Sequence, residues 1–169
     1  LLGQTRDDAV GEAFDKVARM LELPYPGGPH LSALADKFKL TSHISLPRPM
    51  LHSKNYDFSF SGLKTAVLYL IRSLPQPLNE QTKIEIAHEF EKAAVEVLVS
   101  KTMRAMEEYR AKTLFVGGGV AANKRLHETL NVRSGTSNIF FPAGEFTGDN
   151  AVMIGVAAYL NDTLSPQKN

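Results

Sequence analysis

The chain has 169 residues, 43% of them hydrophobic and 22% charged, and 19 Lys and Arg nearly balance 18 Asp and Glu. That length supports one buried core or two small lobes. A net charge of +1 carries no bulk signature of nucleic-acid binding, the lack of cysteine excludes disulfides and thiolate chemistry, and no apolar run reaches the roughly 18 residues of a membrane helix.

The chain opens on Leu1-Leu2-Gly3 without the charged, apolar and cleavage regions of a secretion signal, and it reads as a piece of a longer protein. Residues 8–22 have helical spacing, with Val10, Phe14, Val17, Ala18 and Leu21 on one stripe. Pro24-Tyr25-Pro26-Gly27-Gly28-Pro29 predicts a hard break, followed by a short helix over 30–38. The stretch 41–60 contains Pro47 and Pro49 and predicts loop, or short strands such as 56–60, where Tyr56, Phe58 and Phe60 alternate with polar residues.

From Ser61-Gly62 the spacing of Leu63, Val67, Leu70 and Ile71 predicts a helix that ends near Leu74-Pro75. Asn79 is an N-cap candidate for a long helix over about 80–110, with Ile86, Phe90, Ala93, Ala94, Val97 and Leu98 on its stripe. The last third changes period. It predicts a short buried strand at 113–116, a glycine turn, a helix over about 121–130, a strand at 138–141 and an apolar helix over 147–160. That order is the α/β rhythm of a nucleotide-binding lobe. The expected organisation is a mainly helical part over 1–110 and an α/β part over 111–169.

Four segments carry candidate chemistry. In Leu114-Phe115-Val116-Gly117-Gly118-Gly119-Val120-Ala121-Ala122-Asn123 a strand delivers three glycines to a helix start. Glycine lets a backbone approach a ligand with its N–H groups free, and Asn123 adds a donor and an acceptor. A plain strand-to-helix turn explains the same residues. Gly117-x-Gly119-x-x-Ala122 matches a loose dinucleotide fingerprint, but no acidic residue stands at the tip of the next strand, at Phe141-Pro142. No P-loop sequence occurs.

In Phe146-Thr147-Gly148-Asp149-Asn150-Ala151, Asp149 is either a helix cap or a carboxylate ligand for a metal. Asp7, Asp8, Glu12 and Asp15 share the polar side of the first helix, which is either a solvated face or part of a site. Lys64 sits in the first turn of its helix, where a cation slightly opposes the dipole. The five histidines are scattered, and His88-Glu89 fails as a zinc-protease motif because position 92 is Lys92.

In this order, Asp8-Ala9-x-Gly11-Glu12-Ala13-Phe14-Asp15-Lys16, Tyr25-Pro26-Gly27-Gly28-Pro29, Phe58-Ser59-Phe60-Ser61-Gly62-Leu63-Lys64-Thr65, Gly118-Gly119-Val120-Ala121-Ala122-Asn123 and Asp149-Asn150-Ala151 closely resemble the tRNA threonylcarbamoyl-adenosine transferases, once taken for O-sialoglycoprotein endopeptidases. The match covers position 2 to about 160, the C-terminal half of that family. The resemblance implies an α/β, actin/Hsp70-like (ribonuclease H-like) nucleotide-binding lobe with added helices, incomplete without its N-terminal lobe. It implies transfer of a threonylcarbamoyl group from threonylcarbamoyl-AMP to an anticodon-loop adenosine of tRNA.

By motif match, Asp15, Gly28 and Asn123 would contact the nucleoside part of the ligand. Asp149 would be this half's ligand to one divalent metal ion, Fe2+ in the family, whose two histidine ligands lie in the N-terminal half. Gly148 departs from the family, which usually has a side chain there. No general base is assigned.

The implied bacterial partners are a paralogous subunit and a small ATPase, in the cytoplasm or, for other members, the mitochondrial matrix, and no membrane. A non-catalytic scaffold paralogue, a metalloprotease and an O-carbamoyltransferase are the alternatives. The missing His-Glu-x-x-His argues against the protease. The presence of Asp15, Asn123 and Asp149 argues against the scaffold.

Overall fold

A computed structural model describes residues 1–148 and 151–164. In chain order its elements are α1 (Val10–Met20), α2 (Gly27–Ala35), α3 (Ser61–Ser73), α4 (Glu80–Glu108), β1 (Thr113–Phe115), a one-turn 3-10 helix (Gly119–Ala122), α5 (Lys124–Arg133), β2 (Asn138–Phe140), a second such turn (Gly144–Phe146) and α6 (Ala151–Leu164). Helices and a small parallel sheet make this an α/β fold. No helix among the described residues is long and apolar enough to cross a membrane.

The 29-residue α4 is the centre of the molecule. Its N-terminal half packs with α1, α2 and α3 around Phe14, Val17, Leu31, Leu63, Ile86 and Phe90. Phe14 meets Phe90 edge-on, with ring centroids 5.0 Å apart. Farther along, Val95 and Val99 pack with Leu126 and Leu130 of α5 and with Leu114 and Ile139 of the strands. Asn79 caps α4 as its sequence predicts, its side chain accepting from the Thr82 amide at 2.8 Å.

β1 and β2 are parallel, with Thr113 opposite Asn138 and Phe115 opposite Phe140. Parallel neighbours need a crossover, which the glycine turn and α5 provide. The strand at 113–116 is less buried than its apolar run predicts. Only one face is covered among the described residues, so Leu114 is half-buried while Phe115 and Phe140 are exposed and stack on each other. α6 likewise exposes Val152, Met153, Ile154, Val156, Tyr159 and Leu160.

α1 begins at Val10 rather than at 8 and α6 at Ala151 rather than at 147, and two further helix starts differ from expectation for a clear local reason. α2 begins at Gly27, inside the segment that reads as a break. Pro26 occupies the cap position with extended backbone and Pro29 falls in the first turn, where a missing N–H costs nothing. α5 begins at Lys124 rather than near Ala121, because the chain first makes a 3-10 turn and Asn123 becomes the N-cap.

No strand forms over 56–60. Phe58 makes only an isolated bridge to Thr5, and the stretch 41–60 is irregular. It is held by polar side chains of α4. Glu85 accepts from the amides of His43 at 2.6 Å and Ile44 at 3.2 Å. Arg48 pairs with Glu89 at 2.7 Å and Glu96 at 2.9 Å. The buried Lys101 donates to Ser53 Oγ at 2.7 Å and to the carbonyls of Asn55 and Asp57.

Candidate functional site

A cleft of about 740 Å³ lies between α1, the start of α2 and the glycine turn. α1 lines it with Ala9, Val10, Gly11, Phe14 and Asp15. The next segment contributes Pro26, Gly28, Pro29 and Ser32, and the turn contributes Gly117 to Val120, Ala122, Asn123 and Lys124. Three sequence-predicted residues, Asp15, Gly28 and Asn123, therefore meet at one cleft from three separate segments.

Asp15 stands at the edge of the buried stripe of α1, next to Phe14 and one turn before Ala18, where that helix meets the start of α2. Its Oδ1 accepts from the amides of Gly27 at 2.9 Å and Gly28 at 3.2 Å. It thus caps α2 from another helix and satisfies two of the orphan donors at that end. Oδ2 has no hydrogen-bond partner among the described residues.

The two glycines of α2 do different work. A Cβ on Gly27 would stand 2.5 Å from Ala18 Cβ, so Gly27 is what lets α2 lie against α1. A Cβ on Gly28 would meet nothing nearer than Phe14 Cβ at 4.0 Å. Its missing side chain leaves space in the cleft. In the turn, Gly118 has φ +84°, a backbone conformation that favours glycine. The turn rests on α1, since a Cβ on Gly11 would touch Val120 Cγ2 at 3.5 Å.

Asn123 is more constrained than a turn residue needs to be. Its Oδ1 accepts from the Leu126 amide at 2.8 Å. Its Nδ2 donates to Ser32 Oγ at 3.0 Å and to Glu91 Oε1 at 2.7 Å. Glu91 is buried on α4 and accepts a second bond from Arg125 Nε at 3.0 Å. Arg125 also contacts His88 Nδ1 at 3.0 Å. Burial and the Arg125 guanidinium push the His88 imidazole below its ordinary range.

Ser32, Glu91 and Arg125 escape the sequence reading, which weighs His88 only as the start of a failed zinc-protease motif. Glu91 follows Phe90 on the long helix, and its only signal is a charge beside a fully apolar stripe.

Of the four carboxylates expected on one helix face, Asp7 and Asp8 precede α1, which begins at Val10, and the group is largely engaged rather than solvated. Asp7 accepts from the amides of Phe60 at 2.8 Å and Ser61 at 3.2 Å, at the start of α3. Asp8 pairs with Lys16 at 2.8 Å and Lys64 at 2.9 Å, and these two cations hold its carboxyl down at about 2. Lys64 thereby has a carboxylate at hand to offset its position near the helix dipole. Glu12 is the exposed member and pairs with Lys16 at 2.6 Å.

Asp149 lies outside the described residues. Among the described residues no group of three or more His, Cys, Asp or Glu side chains comes together to hold a metal ion.

A model of the family described as tRNA N6-adenosine threonylcarbamoyltransferase (TsaD) matches residues 1–156. Curated relatives bearing that name include one from Herminiimonas arsenicoxydans, 47% identical over 168 residues, which cover 98% of this chain and 49% of the relative. One from Chromobacterium violaceum is 51% identical over 162 residues, covering 93% of this chain and 47% of the relative. One from Thiobacillus denitrificans is 52% identical over 159 residues, covering 93% and 45%. The chain spans about half the length of the curated relatives it matches.

Proposed function

The chain belongs to the tRNA N6-adenosine threonylcarbamoyltransferase family, and from that membership we propose that its cleft is the adenosine side of a site for threonylcarbamoyl-AMP. The proposed reaction moves the threonylcarbamoyl group onto the N6 amino group of an anticodon-loop adenosine in tRNA. The amino nitrogen attacks the carbamoyl carbon, the carbon–oxygen bond to phosphate breaks, AMP leaves with the electron pair and the N6 proton is lost. The leaving group is good, so positioning and charge placement carry the catalysis and no nucleophile triad is needed.

The observation that carries this reading is the convergence of Asp15, Gly28 and Asn123 on one cleft. Asp15 offers its Oδ2 to a ligand hydroxyl, Gly28 leaves room for a ring or sugar, and the turn at Gly117–Gly119 brings backbone close to the ligand. In the same reading the chain supplies the C-terminal part of an actin/Hsp70-like pair of lobes, helical over 1–110 and α/β over 111–169. The exposed apolar residues of β1, β2 and α6 are what a neighbouring lobe would cover.

A divalent ion, Fe2+ by resemblance, with Asp149 as this chain's ligand, belongs to the proposal. The described residues do not assemble its centre, and no step is routed through it. A paralogous subunit and a small ATPase are proposed partners on the same footing.

Titration of AMP into the 169-residue chain tests the cleft. Binding is expected, and Asp15→Ala and Gly28→Val should each weaken it by about tenfold, the size of one lost charged hydrogen bond or of a steric block. Variants that bind AMP as tightly as the parent, or a parent that binds none, would sink the reading. Threonylcarbamoyl transfer to tRNA is expected only when the remaining half of the enzyme is supplied; turnover by the 169-residue chain alone would contradict that.

A further inference from the structure

Glu91 is 1% exposed and lies on α4 behind the cleft wall, without lining the cleft. A buried carboxylate is costly unless its charge and lone pairs are matched. Here both oxygens are matched, Oε1 by Asn123 Nδ2 at 2.7 Å and Oε2 by Arg125 Nε at 3.0 Å. Two donors therefore face one side chain from both sides. A carboxylate accepts both, whereas glutamine would turn its own NH2 group against one of them.

The consequence falls on Asn123, which does line the cleft. Both of its amide hydrogens are used, one by Glu91 and one by Ser32 Oγ at 3.0 Å, and Oδ1 takes the Leu126 amide at 2.8 Å. Rotating the amide by half a turn would set Oδ1 against the Glu91 carboxylate and NH2 against the Leu126 donor. The amide has one permitted orientation, and Ser32 Oγ is fixed with it.

Stability alone does not explain such a pair. Replacing a buried ion pair by apolar residues of similar volume is often neutral or stabilising. We propose that Glu91, neutralised by Arg125, is a positioning residue that fixes the Asn123 amide and with it the wall of the cleft. The inference rests on the reading of the cleft as a nucleotide site, but its effect on Asn123 is measurable without ligand.

The test compares the parent chain with Glu91→Met/Arg125→Met, Glu91→Gln/Arg125→Met and Glu91→Asp. Three quantities are read: thermal unfolding, hydrogen exchange of the Asn123 side-chain amide by nitrogen-15 NMR, and AMP affinity by titration. The Met/Met variant removes both charges at similar volume and should stay folded, yet exchange its Asn123 amide roughly tenfold faster and bind AMP about tenfold more weakly. The Gln/Met variant restores one acceptor for Asn123 and should bring both readouts back to within about threefold of the parent.

A folded Met/Met variant with parental amide exchange and AMP affinity overturns the proposal. If that variant does not fold, Glu91→Asp decides. It keeps the charge but shortens the reach, so faster Asn123 exchange supports the proposal and unchanged exchange overturns it. If even the parent fails to bind AMP, the adenosine reading falls, and the amide exchange alone decides the positioning role.

Discussion

Asp15 caps the helix that begins at Gly27: its Oδ1 accepts from the Gly27 amide at 2.9 Å, across 12 residues of sequence. The same oxygen also takes the Gly28 amide. One carboxylate therefore fixes where α2 starts and at the same time stands in the cleft. Asp15→Ala should cost about 1–2 kcal/mol of stability, the range of a lost N-cap. Asp15→Asn keeps an acceptor and should cost less than half of that. Urea unfolding of the three proteins checks the order. Equal midpoints for parent and Asp15→Ala would show that the cap contributes nothing.

Gly27 and Gly28 should respond oppositely to alanine. At Gly27 the new methyl would overlap Ala18, and a loss of about 1–3 kcal/mol is expected for overpacking. At Gly28 the space is open on the protein side, so stability should stay level or rise by a few tenths of a kcal/mol, up to about 0.5, from helix propensity. Thermal melts separate the two. The Gly28 variant should instead lose AMP affinity, because its methyl occupies the cleft.

Acid should weaken the junction of α1 and α3. The Asp8 carboxyl titrates at about 2 in the folded chain, against 3.8 for a free aspartate, because Lys16 and Lys64 bond to it. Its contribution is present in full above the unfolded value and is lost as pH falls through about 2. Lys16 is partly exposed, so the screened contribution is about 1–2 kcal/mol. Asp8→Asn should remove that amount at pH 6 and flatten the stability curve between about pH 4 and 2. A variant curve parallel to the parent's would refute the assignment.

Lys101 should be among the least replaceable surface-type residues of the chain. It is 1% exposed and donates to Ser53 Oγ and two carbonyls of the loop at 50–58. Lys101→Met leaves those acceptors unmatched and should cost about 2–4 kcal/mol, while the loop becomes open to proteolysis. Limited proteolysis with mass mapping reads the loop directly. A resistant loop in a folded Lys101→Met chain would rule the contact out as its anchor.

Much of this was legible from local pattern. The stripe of Val10, Phe14, Val17 and Leu21 places α1, and Asn79 marks the start of α4, because both depend on residues within a turn or two. Glycines between an apolar strand and an Asn likewise mark the turn. What local pattern misses is contact between distant residues. The start of α2 depends on Asp15 in another helix, so Pro-Gly-Gly-Pro reads as a break. Glu91 and Lys101 look like solvent-facing charges, since their partners at Arg125 and Ser53 lie far along the chain. The exposure of Phe115 and α6 is invisible for the opposite reason, since an apolar run carries no mark of what will cover it.

α4 has one further property. An apolar helix in an apolar groove can slide or roll a little, because one methyl contact replaces another. α4 cannot, since Glu85, Glu89, Glu91 and Lys101 each end in a specific donor or acceptor. A slip of one residue shifts the rod by about 1.5 Å and turns it by about 100°, which breaks all of these contacts at once. The helix therefore acts as an indexed bar with a single allowed setting. The irregular stretch 41–60 and the Asn123 wall of the cleft take their coordinates from the same bar, so the two ends of the molecule share one origin.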